Sequence, residues 1–137
     1  MNPAKILIMV ITMLLLNPIA VYCQHTLTIE INPLKNNDGQ VILAFMDENE
    51  NILKQLTAGI EGETSRFTLD SLEQGKYAFK YIHDENKNNK LDTKLFIIPK
   101  EGYGFSNDAK GKLGPPGFKD MIFELTGSDT LICKPNY

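Results

Sequence analysis

The chain has 137 residues, of which 42% are hydrophobic and 23% charged, and its formal net charge is -3. That length fits one domain, and the hydrophobic share removes it from the regime in which chains stay disordered. Lys and Arg are scattered with no cluster that would neutralise phosphates, so nucleic acid is not expected as a partner.

The N-terminal stretch sets the expected compartment. Lys5 is followed by an uncharged apolar run over residues 6–16, and Asn17-Pro18 breaks the run before Ile19-Ala20-Val21. This is the pattern of a cleaved export signal, and the run is shorter than the ~20 apolar residues a spanning helix needs. Residues 1–23 are therefore read as a signal peptide and 24–137 as the mature domain, placing the protein in the periplasm, at the cell surface or in the medium. Cleavage after Cys23 leaves Gln24 first. Lipidation of Cys23 is the alternative, and Tyr22 stands where a lipoprotein signal wants a small residue. With Cys23 inside the signal, Cys133 is left without a partner, and no disulfide framework is indicated.

In chain order, His25–Ile31 alternates, with Leu27, Ile29 and Ile31 on one face. Asn36-Asn37-Asp38-Gly39 suits a turn, and residues 41–46 are apolar on both faces, so the pair reads as a hairpin leading into a central strand. Residues 47–63 read as a polar connection in which Ile52, Leu53 and Leu56 line a short helical turn. Phe67 and Leu69 mark another strand, and residues 76–82 the next, its Tyr77, Phe79 and Tyr81 pointing inward. Between Pro99 and Lys119 lie five glycines and three prolines, which read as one long loop. Met121, Phe123 and Leu125 alternate, and residues 130–134 close the chain as a short strand. The expected fold class is all-β, a single antiparallel β-sandwich of about six or seven strands with a long Gly/Pro-rich loop.

Residues 84–92 carry the distinctive chemistry. Asp84, Asn86, Asn88, the Lys90 carbonyl and Asp92 fall on positions 1, 3, 5, 7 and 9 of an acidic calcium loop, which supplies a hard cation with oxygen ligands. Asn89 takes the sharp-turn position, where Asn is the best substitute for Gly. Position 12 holds Leu95 in place of the bidentate glutamate, so Glu85, Glu101 or water would have to complete the shell. The expected cofactor is Ca²⁺, bound weakly, on the order of 10⁻⁴ to 10⁻³ M. The competing reading is an Asx-rich turn that holds itself together through its own backbone. The related run Asp47-Glu48-Asn49-Glu50-Asn51 reads as a solvated turn.

Other residues carry weaker signals. Glu101, Tyr103, Phe105 and Asn107 form a possible binding loop, whose aromatics either stack on a carbohydrate or peptide or pin the loop to the core. His83 has no nucleophile in a recognisable motif with it and reads as structural. Cys133 reads as a small apolar side chain on the last strand. Asp84, Asp92 and Glu101 are also the acid and base candidates of a hydrolase acting on an extracellular polymer. The face of Tyr77, Phe79 and Tyr81 admits a reading as the lining of a lipid cavity, although core packing explains it without a ligand.

The patterns H-D-x-N-x-N-x-K-L-D from His83, I-P-x-E-G-Y-G-F-S-N-x-A from Ile98 and G-P-P-x-F from Gly114 resemble the DUF2141 family of small exported bacterial proteins. That resemblance implies an exported β-sandwich and no reaction. More distantly, L-x-x-G-x-Y from Leu72 with the following loop is similar to transthyretin-like (prealbumin-like) and collagen-adhesin B-type modules, many of which are calcium-stabilised spacers. The expected function is accordingly an exported binding or structural module and not an enzyme, acting as a monomer, with a cell-surface protein or polysaccharide as partner.

Overall fold

The computed structural model describes residues 2, 3, 5, 23–95 and 98–137; the export segment read from residues 1–23 falls almost wholly outside them. The described chain forms β1 (His25–Ile31), β2 (Gln40–Asp47), β3 (Ile52–Ala58), β4 (Ser65–Leu72), β5 (Gly75–Asp84), β6 (Thr93–Lys94), β7 (Ile98–Pro99), β8 (Gly102–Phe105), β9 (Phe123–Leu125) and β10 (Asp129–Cys133). Besides these strands there are a 3₁₀ turn, Ser106–Asp108, and a single helical turn, Phe118–Met121.

A three-stranded sheet runs in the order β10-β1-β4, and a five-stranded sheet runs β3-β2-β5-β8 with β9 also on β5. Their inner faces share one core. Leu27, Ile29 and Ile31 of β1 and Phe67 and Leu69 of β4 meet Val41, Leu43 and Phe45 of β2 and Phe79 and Tyr81 of β5. Each such side chain contributes roughly 1.5–3 kcal/mol when fully buried. Tyr77, Phe79 and Tyr81 do point inward, where they pack against other rings: Phe45 stacks on Tyr77 at 5.0 Å and Phe79 meets Phe123 edge-on at 5.8 Å. Packing in the core accounts for that aromatic face.

Three features depart from the expectation. First, β1 and β2 are not a hairpin: β1 pairs with β4 and, in parallel, with β10, while β2 pairs with β3 and β5. Leu34, only 2% exposed, is drawn into the core and pulls the connection across the end of the sandwich.

Second, residues 52–58 are a strand and not a polar connection. It is an edge strand on which Ile52 and Leu53 are exposed and only Leu56 and Ala58 pack against the core, so its apolar face is too short to announce it. The β2–β3 hairpin is closed by Asp47, whose Oδ1 accepts the N–H groups of Asn49 and Asn51, both at 2.9 Å. The amide and backbone N–H of Asn51 hold the Asp47 carboxyl below the usual carboxylate range. A depressed carboxyl contributes stability that is complete above its unfolded pKa and is lost as pH falls through its folded one. Asp47→Ala is therefore expected to lower the melting temperature at pH 7, with the difference from the parent shrinking in melts taken at progressively more acid pH.

Third, the long loop contains β8, which pairs with β5. Its glycines are close-approach positions: a Cβ on Gly102 would lie 2.7 Å from the Tyr137 ring, and one on Gly104 would lie 2.2 Å from Tyr81 Oη. Glycine inside a strand marks such contacts, and here it disguises the strand as a loop. Met121 belongs to the helical turn, so the strand expected from that residue begins only at Phe123.

Candidate functional site

Strand β5 delivers Asp84 to the end of the five-stranded sheet, where the chain leaves the ladder and turns through residues 85–92. Lys87 and Asn89 adopt left-handed φ values of 59° and 62°. Asn89 thus holds the conformation expected at the sharp turn, which Asn adopts more readily than other residues with a Cβ.

The oxygen-bearing side chains converge on their own backbone. Asp84, fully buried, accepts Asn88 N–H on Oδ1 at 3.0 Å and Asn89 N–H on Oδ2 at 2.9 Å. Asn86 Oδ1 accepts Asn88 N–H at 3.0 Å, and Asn88 Oδ1 accepts Lys90 N–H at 2.8 Å. The two amide groups then reach across the loop: Asn86 Nδ2 donates to Asp92 Oδ2 at 2.7 Å and Asn88 Nδ2 to Asp92 Oδ1 at 3.0 Å. The structure therefore brings Asp84, Asn86, Asn88 and Asp92 into one hydrogen-bonded unit, and these are the bonds an Asx-rich turn makes. Among the described residues, no three His, Cys, Asp or Glu side chains are grouped so as to hold a metal ion. Any cation here would have to supplement Asp84 and Asp92 with Asn and carbonyl oxygens.

Glu101 is also brought to the loop, in a specific role. It is 4% exposed, and its Oε1 accepts the Glu85 N–H while its Oε2 accepts the Asp92 N–H, both at 2.9 Å. One carboxylate therefore ties the first and last turns of the loop together. Strand β8 places it there, directly after Lys100, whose N–H bonds the Asp92 carbonyl at 2.8 Å.

Sequence reasoning missed Gln40. Its Nε2 donates to Asp84 Oδ2 at 3.0 Å and to Asn89 Oδ1 at 3.1 Å, and it stands opposite Asp84 in the β2–β5 ladder. Only a known strand register would have found it. Burial alone would raise the Asp84 pKa. The Gln40 amide and the backbone N–H groups of Asn89, Asn88 and Lys87 outweigh that effect and hold the carboxyl below its ordinary value.

His83 is fully buried, with Nε2 on the Asp38 carbonyl at 2.8 Å and Nδ1 on Tyr137 Oη at 2.9 Å. A carbonyl can only accept, so the Nε2 nitrogen carries the hydrogen, and Nδ1 shares a hydrogen bond with the tyrosine hydroxyl. Both nitrogens are engaged in holding residues 38 and 137 against the base of the loop. Cys133 is buried, and burial pushes its thiol up to about 12, which suits an inert core side chain.

The remaining binding-loop candidates divide. Asn107 is a staple, its Nδ2 donating to the carbonyls of Asp120 at 3.2 Å and Ile122 at 2.9 Å. Tyr103 and Phe105 are half-buried and meet edge-on at 6.1 Å on the outer face of β8. The acid and base candidates Asp84, Asp92 and Glu101 each accept N–H donors of the loop, Asp84 from Gln40 as well, and the nearby outer groove is lined from this loop by Asn89 and Leu91.

A protein-family model described as "Uncharacterized protein conserved in bacteria (DUF2141)" matches residues 29–132. No curated protein and no solved structure matches the chain. The similarity to transthyretin-like and collagen-adhesin modules rests on the motif from Leu72 to the acidic loop alone.

Proposed function

We propose that this chain, which belongs to the DUF2141 family, is an exported binding or structural module whose loop over residues 84–92 takes Ca²⁺. The ligands in this reading are the side chains of Asp84, Asn86, Asn88 and Asp92 and the carbonyl of Lys90. Export is inferred from the charged, apolar and small-residue succession before Gln24.

One observation carries the calcium reading: Asn86, Asn88 and Asp92 keep unused acceptor capacity after their structural bonds, while Asp84 already accepts the N–H groups of Asn88 and Asn89 and the Gln40 amide. An amide oxygen has two lone pairs and a carboxylate about four acceptor sites. Asn86 Oδ1 and Asn88 Oδ1 each accept one backbone N–H, and Asp92 accepts two amide donors in all. The loop backbone is thus already folded around these oxygens. A cation would replace the two amide donors on Asp92 without dismantling the turns. Glu101 remains on its two N–H groups as a positioning residue, so the ligand missing at Leu95 falls to water. With only two carboxylates among the ligands, and with Lys87 and Lys90 in the loop, affinity on the order of 10⁻⁴ to 10⁻³ M is expected.

Calorimetric titration of residues 24–137 with CaCl₂, paired with melting curves in calcium and in EDTA, tests this. Saturable heat is expected, with stabilisation of about 1.4 kcal/mol at ten times the dissociation constant. Asp84→Ala should abolish the heat and the calcium-dependent part of the melting temperature. Absence of both heat and shift at millimolar calcium in the parent would leave the loop a metal-free Asx scaffold.

A further inference from the structure

The solvent-side face of the five-stranded sheet is unusually apolar. Antiparallel sheets with one face on the core normally turn polar residues outward. Here Val41, Leu43 and Phe45 face the core, yet the alternate residues Ile42 and Ala44 are also apolar. Cross-strand register aligns Ile42 with Ile82 and Tyr103, and Ala44 with Lys80 and Phe105.

Part of this outer face is already covered by the chain itself. Met46 and Ala78 are buried under Met121, with Phe105 and Phe118 packed alongside. The other part forms a trough of about 270 Å³ with Ile42, Ala44 and Ile82 along it and Leu91, Tyr103 and Phe105 around it. Ile42 is only 9% exposed although it lies on an outer face, so the walls enclose the floor. A flat protein-docking face would leave it open. The volume lies just under the roughly 300 Å³ lower end of drug-sized sites, which suits one alkyl chain and excludes a wide polymer.

Lys80 is the only charged residue lining the trough, and it has no ion-pair partner among the described residues. We propose that this trough binds a small amphipathic carboxylate, its alkyl chain on Ile42, Ala44 and Ile82 and its head group on the Lys80 ammonium. Apolar floor and free cation together call for an alkyl chain with an anionic head, of which a carboxylate is the smallest: a neutral lipid leaves Lys80 unused, and a small polar anion leaves the floor unused. The acidic loop contributes Asn89 and Leu91 to the wall of the trough, and the proposal does not require that loop to take calcium.

The test is titration of ¹⁵N-labelled protein with decanoate below its micelle-forming concentration, in calcium-free buffer. Saturable shifts are expected at the amides of Ala44, Lys80 and Ile82, with decanol binding about tenfold more weakly, the loss expected when a charge-assisted contact is removed. Ala44→Phe, which fills the floor, and Lys80→Met, an exposed change that leaves the core untouched, should each weaken decanoate at least about tenfold. Shifts that never saturate, decanol binding as tightly as decanoate, or saturable binding that both variants leave unchanged would each overturn the proposal.

Discussion

Replacing Glu101 with Ala is expected to destabilise the domain by about 3 kcal/mol, measured by urea denaturation, because two backbone donors lose a shared charged acceptor. The Glu85 and Asp92 N–H groups both bond this carboxylate at 2.9 Å, and the side chain is 4% exposed, so water does not readily replace it. Each N–H left without a partner costs roughly 1–3 kcal/mol, and hydrogen bonds to a charged group lie toward the upper part of their range. Glu101→Gln keeps one acceptor oxygen and turns its NH₂ toward the other donor, so its loss should fall between the parent and the alanine variant. Calcium affinity, read from the same proteins by calorimetry, should weaken in parallel, since the clasp sets the distance between Asp84 and Asp92. Losses below about 0.5 kcal/mol for both variants, the level of an ordinary surface change, would mean that the loop closes without Glu101.

What was legible in the sequence follows from where each segment sits. His25–Ile31 and residues 41–46 announce themselves because each has a face or two faces in the core, and the two-residue period of a strand then shows directly in residue type. Ile52–Ala58 reaches the core only at its far end, through Leu56 and Ala58, while Ile52 and Leu53 on this edge strand are exposed on either face, so its pattern is blurred and its pairing with β2 is recorded by no single residue. Gly102–Phe105 was hidden for a different reason. Its glycines answer to Tyr137 and Tyr81, rings that lie far away in sequence. The acidic loop was legible because its hydrogen bonds are local, each joining residues a few positions apart. Gln40 was not, since its bond to Asp84 spans 44 positions and depends on the β2–β5 register. Glu101 was visible as an acidic residue near enough to reach the loop, and its placement on two backbone N–H groups emerges only from the fold.

Gly39→Ala is expected to cost about 3 kcal/mol or more, and comparison with Gly62→Ala separates the two reasons. Both glycines have positive φ, 78° and 57°, so alanine at either pays roughly 1–2 kcal/mol for left-handed backbone. At Gly62 nothing lies within 4 Å of the added Cβ, and the cost should stop there. At Gly39 the same atom would lie 2.0 Å from the Asp84 carbonyl oxygen and 2.6 Å from Glu85 Cα. These are backbone atoms, and no side-chain rotation relieves the overlap. Either the turn over residues 36–39 must lift off the sheet end, releasing the bond from His83 to the Asp38 carbonyl, or Asp84 and Glu85 must move and disturb the loop they begin. In both cases the acidic loop loses the surface it rests on. Gly39→Ala should therefore also broaden the amide resonances of residues 84–92, while Gly62→Ala leaves them in place. Equal stability losses for the two variants, with an undisturbed loop in both, would show that the turn tolerates a side chain and that the contact with Asp84 does not govern the loop.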